Sequence, residues 1–381
     1  MSAGGLLDRY ETTLSGLARK NRLRALSPRA GLDFASNDYL GLAASPRLAK
    51  AVAAALAAGT PIGATGSRLL RGNGPEHETL EAEAARFFGV RALFFSGGYV
   101  ANFAILTTLA QKGDLVVLDA LIHASAHEGA RAGRAAVAEV PHNDIGGFED
   151  AILTWRRSGG TGRPWIVVES LYSMDGDRAP LANLAALADR HDAFLLIDEA
   201  HATGVYGPGG RGLAHDLEGR DNVVVLHTCG KALGVSGALV TAPTAIIDYL
   251  INRCRPFIYA TAPSPLMAVA ATEALAILRD EPERCERLAA LVAFAGREIE
   301  ARCAITPSGS QILPVIVGDN AGAMALASAL QARGFDVRGI RPPTVAEGTA
   351  RLRISLTLNV EQADVAAMIK ALSEEWERMA A

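Results

Sequence analysis

The sequence has little charge, and neither sign dominates it. Of 381 residues 20% are charged, and 37 Lys and Arg stand against 41 Asp and Glu, a formal net charge of −4. A nucleic-acid groove needs a basic excess or a basic stripe, so we expect no nucleic-acid partner. Apolar residues make up 50% of the chain, which excludes a disordered protein. A chain of this length can bury a core without disulfide or metal staples.

Cysteines are few, and long apolar runs are missing. The four cysteines are Cys229, Cys254, Cys285 and Cys303. They form no CxxC pair, which indicates core residues in a reducing compartment. Charged residues at Asp8, Arg9 and Glu11 interrupt the start of the chain, where a signal peptide would be apolar. With no run of about 18 apolar residues, we expect no membrane partner and a cytoplasmic location.

Short β-rich runs alternate with Ala- and Leu-rich segments between about residues 45 and 270. The predicted strands are Ala92–Ser96, Leu115–Asp119, Trp165–Glu169, Phe194–Asp198 and Val223–His227. Apolar strands separated by helices predict a mostly parallel sheet covered on both faces, the α/β class.

The two ends of the chain differ from this middle part. Apolar residues recur at helical spacing near the start, at Leu7, Tyr10, Leu14 and Leu17, and predict a helix over the first 30 or so residues. The end of the chain combines helical segments with two strand candidates. We therefore predict a helical arm at 1–44, a large α/β domain at 45–275 and a small α+β lobe at 276–381.

Polar residues follow the predicted strands, where parallel α/β sheets bind ligands. Gly97 and Gly98 follow the first strand and precede a helix, so their backbone could approach a phosphate, although a plain tight turn explains them equally well. Asp198 and His201 emerge together after another strand. A carboxylate there could be a metal ligand, a base, the partner of a cationic ring nitrogen or a buried structural group.

Two other motifs favour less specific interpretations. His123 and His127 lie four residues apart and could share a helix face, but no third metal ligand is evident, so we expect no metal. The preferred interpretation is that His123 stacks on a ring or handles a proton, and the alternative is a structural histidine. Residues 207–212 match GxGxxG but do not follow a strand directly, which favours a loop over a dinucleotide site.

Lysine is the scarcest charged residue, and one lysine stands apart. The five lysines are Lys20, Lys50, Lys112, Lys231 and Lys370. Lys231 alone follows an apolar strand and has glycines at 230 and 234, a setting that suits a Schiff-base lysine. Together with a Gly-Gly helix start, a histidine and a strand-end aspartate, it meets the requirements of pyridoxal 5'-phosphate.

Five motifs carry a resemblance to a known family. They are SGGYVAN, LIHAS, ESLYSMDGD, LIDEAHATG and HTCGKALG, in this order along the chain. The sequence resembles the α-oxoamine synthases over residues 36–357. These are fold-type-I pyridoxal-phosphate transferases that condense an amino acid with an acyl thioester. The resemblance implies a homodimer, with residues 261–265 near a neighbouring subunit's cofactor phosphate.

The resemblance also assigns roles to residues at the cofactor. Lys231 would form the Schiff base, His123 would stack on the cofactor ring beside the substrate, and Asp198 would pair with the ring nitrogen. The further cofactor contacts that it implies are Gly98, Tyr99, Ser173, His201 and Thr228.

Substrate residues follow from the same resemblance. Asn37 and Arg353 would meet the amino-acid carboxylate, and Arg24 and Thr344 the acyl group, with Arg22 as the alternative to Arg24. The segment at 340–357 is most similar to the branch that joins L-alanine to a pimeloyl thioester carried by coenzyme A or an acyl carrier protein. The alternatives are a sister synthase using glycine and a short acyl group, or a non-catalytic regulator that binds the cofactor.

Overall fold

A computed structural model of the chain describes residues 5–380. Residues 1–4 and 381, the outer ends of the predicted arm and lobe, lie outside the described part. The helices are α1 (Asp8–Arg19), α2 (Pro46–Ala57), α3 (Pro75–Phe88), α4 (Gly98–Leu109), α5 (Ala124–Ala132), α6 (Ile145–Arg157), α7 (Leu181–Arg190), α8 (Thr244–Arg253), α9 (Arg255–Ile258), α10 (Pro265–Asp280), α11 (Glu283–Cys303), α12 (Asn320–Ala332) and α13 (Gln362–Ala380). The strands are β1 (Leu32–Asp33), β2 (Ala92–Phe95), β3 (Leu115–Asp119), β4 (Ala136–Val140), β5 (Pro164–Glu169), β6 (Phe194–Asp198), β7 (Val223–Thr228), β8 (Ala238–Thr241), β9 (Ile312–Gly318), β10 (Phe335–Asp336), β11 (Arg338–Ile340) and β12 (Ala350–Ser355).

The chain divides into two compact units. The larger comprises residues 37–173 and 177–287, and the smaller comprises residues up to 36, residues 174–176 and residues from 288 onward. The division into 1–44, 45–275 and 276–381 stays a prediction.

The larger unit is built on a seven-stranded sheet. Its strand order is β2-β8-β7-β6-β5-β3-β4, and β8 alone runs opposite to its neighbours. The predicted α/β class with a mostly parallel sheet is confirmed. Because β3, β5, β6 and β7 run parallel to one another, their carboxyl ends lie at one edge of the sheet.

Both faces of this sheet are buried, which explains its continuous apolar strands. Along β3, Val116 and Leu118 pack into one core with α4, α5 and α8, whereas Leu115 and Val117 pack into a second core with α6 and α7. Alternate side chains of a strand point to opposite faces, so each strand contributes to both cores.

The smaller unit has its own sheets. Strands β11, β12 and β9 form an antiparallel sheet, in which Arg353 of β12 lies opposite Arg338 and Pro314. Strand β1 pairs in parallel with β10.

The first helix is shorter than the sequence predicts. It ends at Arg19, so the prediction of helix to about residue 30 is wrong beyond that point. Asn21 has a φ of 53°, a left-handed conformation that ends a right-handed helix. Among residues 5–380, no helix has the length and apolarity needed to cross a membrane.

Candidate active site

Lys231 lies in the turn after β7, beside the end of β6. Its Nζ is 2.5 Å from Nε2 of His201, and the lysine is half-buried. Gly234 closes the turn with a φ of +69°, and a Cβ there would lie 2.5 Å from the backbone nitrogen of Ala43. A side chain at 234 would therefore push the Lys231 turn away from the segment that contains Ala43.

A chain of polar contacts extends from Lys231 through His201. Nδ1 of His201 is 2.7 Å from the hydroxyl of Tyr39, which donates to Oδ1 of Asn37 at 3.1 Å. With the hydroxyl donating to Asn37, His201 donates from Nδ1 and accepts from Lys231 at Nε2. Tyr39 is fully buried. It was not predicted as a site residue, although it lies within residues 36–42, where the resemblance to the α-oxoamine synthases begins.

A second chain of contacts joins Asp198 to His123. Asp198, at the end of β6, is 4% exposed and accepts hydrogen bonds from Nδ2 of Asn102 at 2.6 Å and from the backbone N–H of Ala200 at 2.9 Å. Asn102 also donates to the hydroxyl of Ser125 at 3.1 Å, which lies 2.7 Å from Nδ1 of His123. Burial lowers the pKa of His123, the nearby Asp198 opposes this shift, and Lys231 adds to it, so the ring favours the neutral form.

The N-terminus of α4 forms a small cradle beside β7. A Cβ added at Gly98 would lie 3.3 Å from Oγ1 of Thr228, so a glycine here keeps the hydroxyl close to the helix start. Free N–H groups and the helix dipole favour an anion at such a terminus. Tyr99 donates to Glu128, and its ring lies edge-on to His123 with centroids 6.3 Å apart.

Glu169 contacts the backbone of Ser173, the remaining residue that the resemblance predicts at the cofactor. It ends β5 directly opposite Asp198 in the sheet register, and its Oε2 accepts from the backbone N–H of Ser173 at 3.0 Å. Burial, together with the charge of Asp198, raises the pKa of Glu169 well above its ordinary value. Two adjacent buried carboxyls cannot both ionise cheaply, so Glu169 is the protonated one.

These residues fit pyridoxal phosphate. The half-buried amine of Lys231 can bond covalently to the cofactor aldehyde, and the buried Asp198 can pair with a protonated ring nitrogen. The cradle at Gly98 and Thr228 offers N–H and hydroxyl donors to a phosphate. His123, which is linked to Asp198 through side chains, offers an aromatic face.

The predicted acyl-contact residues meet in the smaller unit. Nη2 of Arg24 lies 3.4 Å from Oγ1 of Thr344, whereas Arg22 forms an ion pair with Glu347. Arg353 is 7% exposed and donates to the hydroxyl of Ser355 at 2.8 Å. Thus Arg24 contacts Thr344, while Arg22 pairs with Glu347.

The two histidines of the LIHASAH segment point to separate partners. His123 caps α5, whereas Nδ1 of His127 lies 3.6 Å from Glu139. In the part of the chain that the structure describes, no group of three or more His, Cys, Asp or Glu side chains is placed to hold a metal ion.

The fold and the site define a class of protein. Residues 29–372 match the family model of class I and II aminotransferases. Serine palmitoyltransferase from S. paucimobilis, solved with pyridoxal phosphate bound to myriocin, superposes with a TM-score of 0.88 at 27% identity, over 98% of this chain and 99% of that one.

Curated relatives narrow the class. An 8-amino-7-oxononanoate synthase of Azoarcus sp. strain BH72 is 41% identical, over 97% of both chains, and one of Burkholderia mallei is 44% identical, over 90% of this chain and 88% of that one. The solved 8-amino-7-oxononanoate synthase from Francisella tularensis has a TM-score of 0.77 at 28% identity, over 92% of this chain and 99% of that one. The chain belongs to the 8-amino-7-oxononanoate synthase family of class I and II aminotransferase-like proteins. The prediction of a pyridoxal-phosphate-dependent acyltransferase is thereby confirmed.

Proposed function

We propose that the protein joins L-alanine to a pimeloyl thioester to give 8-amino-7-oxononanoate in biotin biosynthesis. A bond forms between Cα of alanine and the acyl carbonyl carbon, and the C–S bond of the thioester breaks. The alanine carboxylate leaves as carbon dioxide, and the thiol carrier is released. The observation that carries this proposal is Nζ of Lys231 at 2.5 Å from His201, beside a buried Asp198, in a chain 41% identical to a synthase of this name.

Lys231 is the base for the substrate Cα proton. When bound, pyridoxal phosphate supplies an electron sink for negative charge at that carbon. A lysine amine acts as a base only in its neutral form. Nζ of Lys231 therefore takes the Cα proton and later returns one, while His201 accepts a hydrogen bond from the amine and keeps it oriented.

Asp198, His123 and the α4 terminus orient the cofactor. Asp198 presents a buried negative charge to the ring nitrogen, and Asn102 fixes the direction of that carboxylate. His123, neutral because of its burial, covers the ring face without adding positive charge. Gly98, with Tyr99 following it at the helix start, leaves the backbone open to the phosphate.

Two other cofactor contacts come from neighbouring loops. The hydroxyls of Thr228 and Ser173 would hydrogen-bond the cofactor. Glu169 stabilises the Ser173 backbone for this contact.

The substrate residues divide by chemistry. Arg353 binds the alanine carboxylate because a guanidinium offers two parallel donors to two oxygens, and Asn37 contributes an amide to the same group. Arg24 and Thr344, which lie together, contact the acyl substrate. The resemblance to the family supports these four assignments.

The test is the specificity constant for four substrate pairs, alanine or glycine with pimeloyl-CoA or acetyl-CoA. We expect alanine with pimeloyl-CoA to give the highest kcat/KM. One methyl group discriminates by only about 1–3 kcal/mol, so some glycine turnover is expected. Several buried methylenes, at about 0.8 kcal/mol each, discriminate more strongly for the acyl chain. A higher kcat/KM for glycine with acetyl-CoA would move the protein to a sister synthase.

A homodimer is part of the proposal. The segment 261–265 follows α9 and ends at the first residue of α10, and the family resemblance supports its contact with a neighbouring subunit's cofactor phosphate. Sedimentation velocity at micromolar concentration should give a dimer, and a fully active monomer would contradict this assignment.

A further inference from the structure

One histidine outside the motifs bridges three loops at the carboxyl edge of the sheet. His142 follows β4, and its Nδ1 is 2.9 Å from Oδ1 of Asp119 at the end of β3. Its Nε2 is 2.8 Å from Oδ2 of Asp177, in the loop after β5. A single imidazole ring therefore contacts carboxylates from two other loops.

Each ring nitrogen lies within hydrogen-bond distance of a carboxylate oxygen, and Nε2 also lies 3.3 Å from Nδ2 of Asn143, which donates to the same oxygen of Asp177. A neutral imidazole donates from one nitrogen only and would turn a lone pair toward the second carboxylate, whereas the imidazolium donates from both. Burial disfavours that charge, but the hydrogen bonds to Asp119 and Asp177 outweigh it and raise the pKa of His142 to about 10. The ring of Tyr172 lies edge-on to the imidazole, with centroids 4.4 Å apart.

The first carboxylate organises the loop that carries His123. Asp119 is fully buried, and its Oδ1 also accepts from the backbone N–H of Leu121 at 2.8 Å. Its carbonyl accepts from the N–H of Ile122 at 3.1 Å. The next residue is His123, so the position of Asp119 fixes the backbone that leads into this ring.

The second carboxylate belongs to the loop that carries Ser173. The backbone N–H of Tyr172 donates to the carbonyl of Asp177 at 2.9 Å, one residue before Ser173. Asn143, next to His142, strengthens the bridge, because its backbone N–H donates to Asp119 at 2.8 Å and its amide donates to Asp177 at 2.9 Å.

We infer that His142 is a positioning residue whose imidazolium ties the His123 loop to the Ser173 loop and sets the separation of these two cofactor contacts. It is not one of the residues assigned to the cofactor or the substrate. Its ring contacts Asp119, Asp177, Asn143 and Tyr172. The inference rests on the proposed function only in taking His123 and Ser173 as cofactor contacts.

The first test is direct observation of the ring in the apo protein. With ¹⁵N-labelled histidine, NMR at about pH 8, above the ordinary histidine range, should show both ring nitrogens of His142 protonated. The signal is assigned by its loss in His142→Gln. A neutral His142 ring at this pH would overturn the inference.

The second test measures cofactor affinity. Gln donates through its amide only and turns an oxygen toward one carboxylate, so His142→Gln should raise the cofactor Kd on the order of tenfold, which corresponds to about 1.4 kcal/mol. The control is His191→Gln, which removes a histidine paired with a single carboxylate, Glu149; its Kd should match that of the original protein. Unchanged Kd in His142→Gln would also overturn the inference.

A double-mutant cycle distinguishes positioning from general destabilisation. Asp177→Asn lets a neutral ring accept from the new amide, so His142→Gln should cost less cofactor affinity in that background than alone. Equal losses in both backgrounds would contradict the bridge. If His142→Gln fails to fold, Asp177→Asn alone should shift the NMR titration of His142 toward the ordinary range. The NMR titration and the cofactor Kd need no acyl substrate, so they test the inference even if the proposed reaction is wrong.

Discussion

Replacing Asp198 by Asn removes a buried charge and keeps the side-chain shape. The two carboxylate oxygens accept from Nδ2 of Asn102 at 2.6 Å and from the backbone N–H of Ala200 at 2.9 Å. An Asn side chain has one acceptor and one donor group, so its amide must face one of these two donors. The substitution therefore acts on catalysis through the lost charge and on stability through the mismatched hydrogen bond.

The two effects have different sizes and different assays. Loss of one preorganised electrostatic interaction with developing charge costs about 2.7–4 kcal/mol, so kcat at saturating cofactor should fall by about 10²–10³. A hydrogen bond to a charged group contributes about 1.5–3 kcal/mol, which should appear as a lower free energy of unfolding in urea. The assays are turnover of alanine with pimeloyl-CoA, and urea denaturation of the apo protein.

A matched variant separates the charge from the hydrogen bond. Asn102→Ala removes a donor to Asp198 and leaves the carboxylate charge in place. It should destabilise the apo protein by at least as much as Asp198→Asn, since it removes the hydrogen bond to this carboxylate and the one to Ser125, but it should reduce kcat far less. Near-normal kcat in Asp198→Asn, or an equal loss of kcat in Asn102→Ala, would refute the assigned role of the charge.

Three further predictions concern the neighbouring groups. Borohydride reduction of the holoenzyme should fix the cofactor on Lys231, as mapped by peptide mass spectrometry, and label on another lysine would contradict the assignment. Because Glu169 is protonated, Glu169→Gln should keep kcat within about threefold and leave the visible spectrum unchanged. Glu169→Leu removes the acceptor for the Ser173 backbone and should weaken cofactor binding. A large spectral change in Glu169→Gln would show that Glu169 is ionised. Tyr39→Phe removes the hydroxyl that contacts Nδ1 of His201 and should lower the free energy of unfolding by about 1–2 kcal/mol. Urea denaturation measures this loss, and an unchanged urea midpoint would contradict the contact.

The stability of the apo protein should depend on pH through His142. Its folded pKa is raised from 6.5 to about 10, so its contribution is complete below the ordinary value and is lost as the pH rises through about 10. The melting temperature should therefore fall over this interval, and this component should be missing in His142→Gln. A melting temperature with the same alkaline slope in both proteins would contradict the prediction.

Most of the larger unit could be predicted from the sequence. Strands β3 and β6 have the bounds that the sequence predicts, because each is an apolar run that ends at an aspartate. Strand β4 was missed, since it lies at the sheet edge and four of its five residues are exposed or half-buried. Strand β8 was also missed, and its antiparallel pairing with β2 and β7 depends on these neighbours rather than on local sequence.

The site residues likewise divide into those that the local sequence predicts and those that only the folded structure reveals. Chemically distinctive groups such as Lys231 and Asp198 could be predicted, because Asp198 ends the apolar strand β6 and Lys231 lies in the glycine-bordered turn after β7. Asn102 and His142 could not, since an amide in a helix or a histidine after an edge strand gives no local signal of its partner. Glu169 is intermediate: two adjacent parallel strands both end in carboxyl residues, so their register alone predicts that one of the pair is protonated. Motifs therefore predict the groups that react, and the register of neighbouring strands predicts which adjacent groups influence their charge.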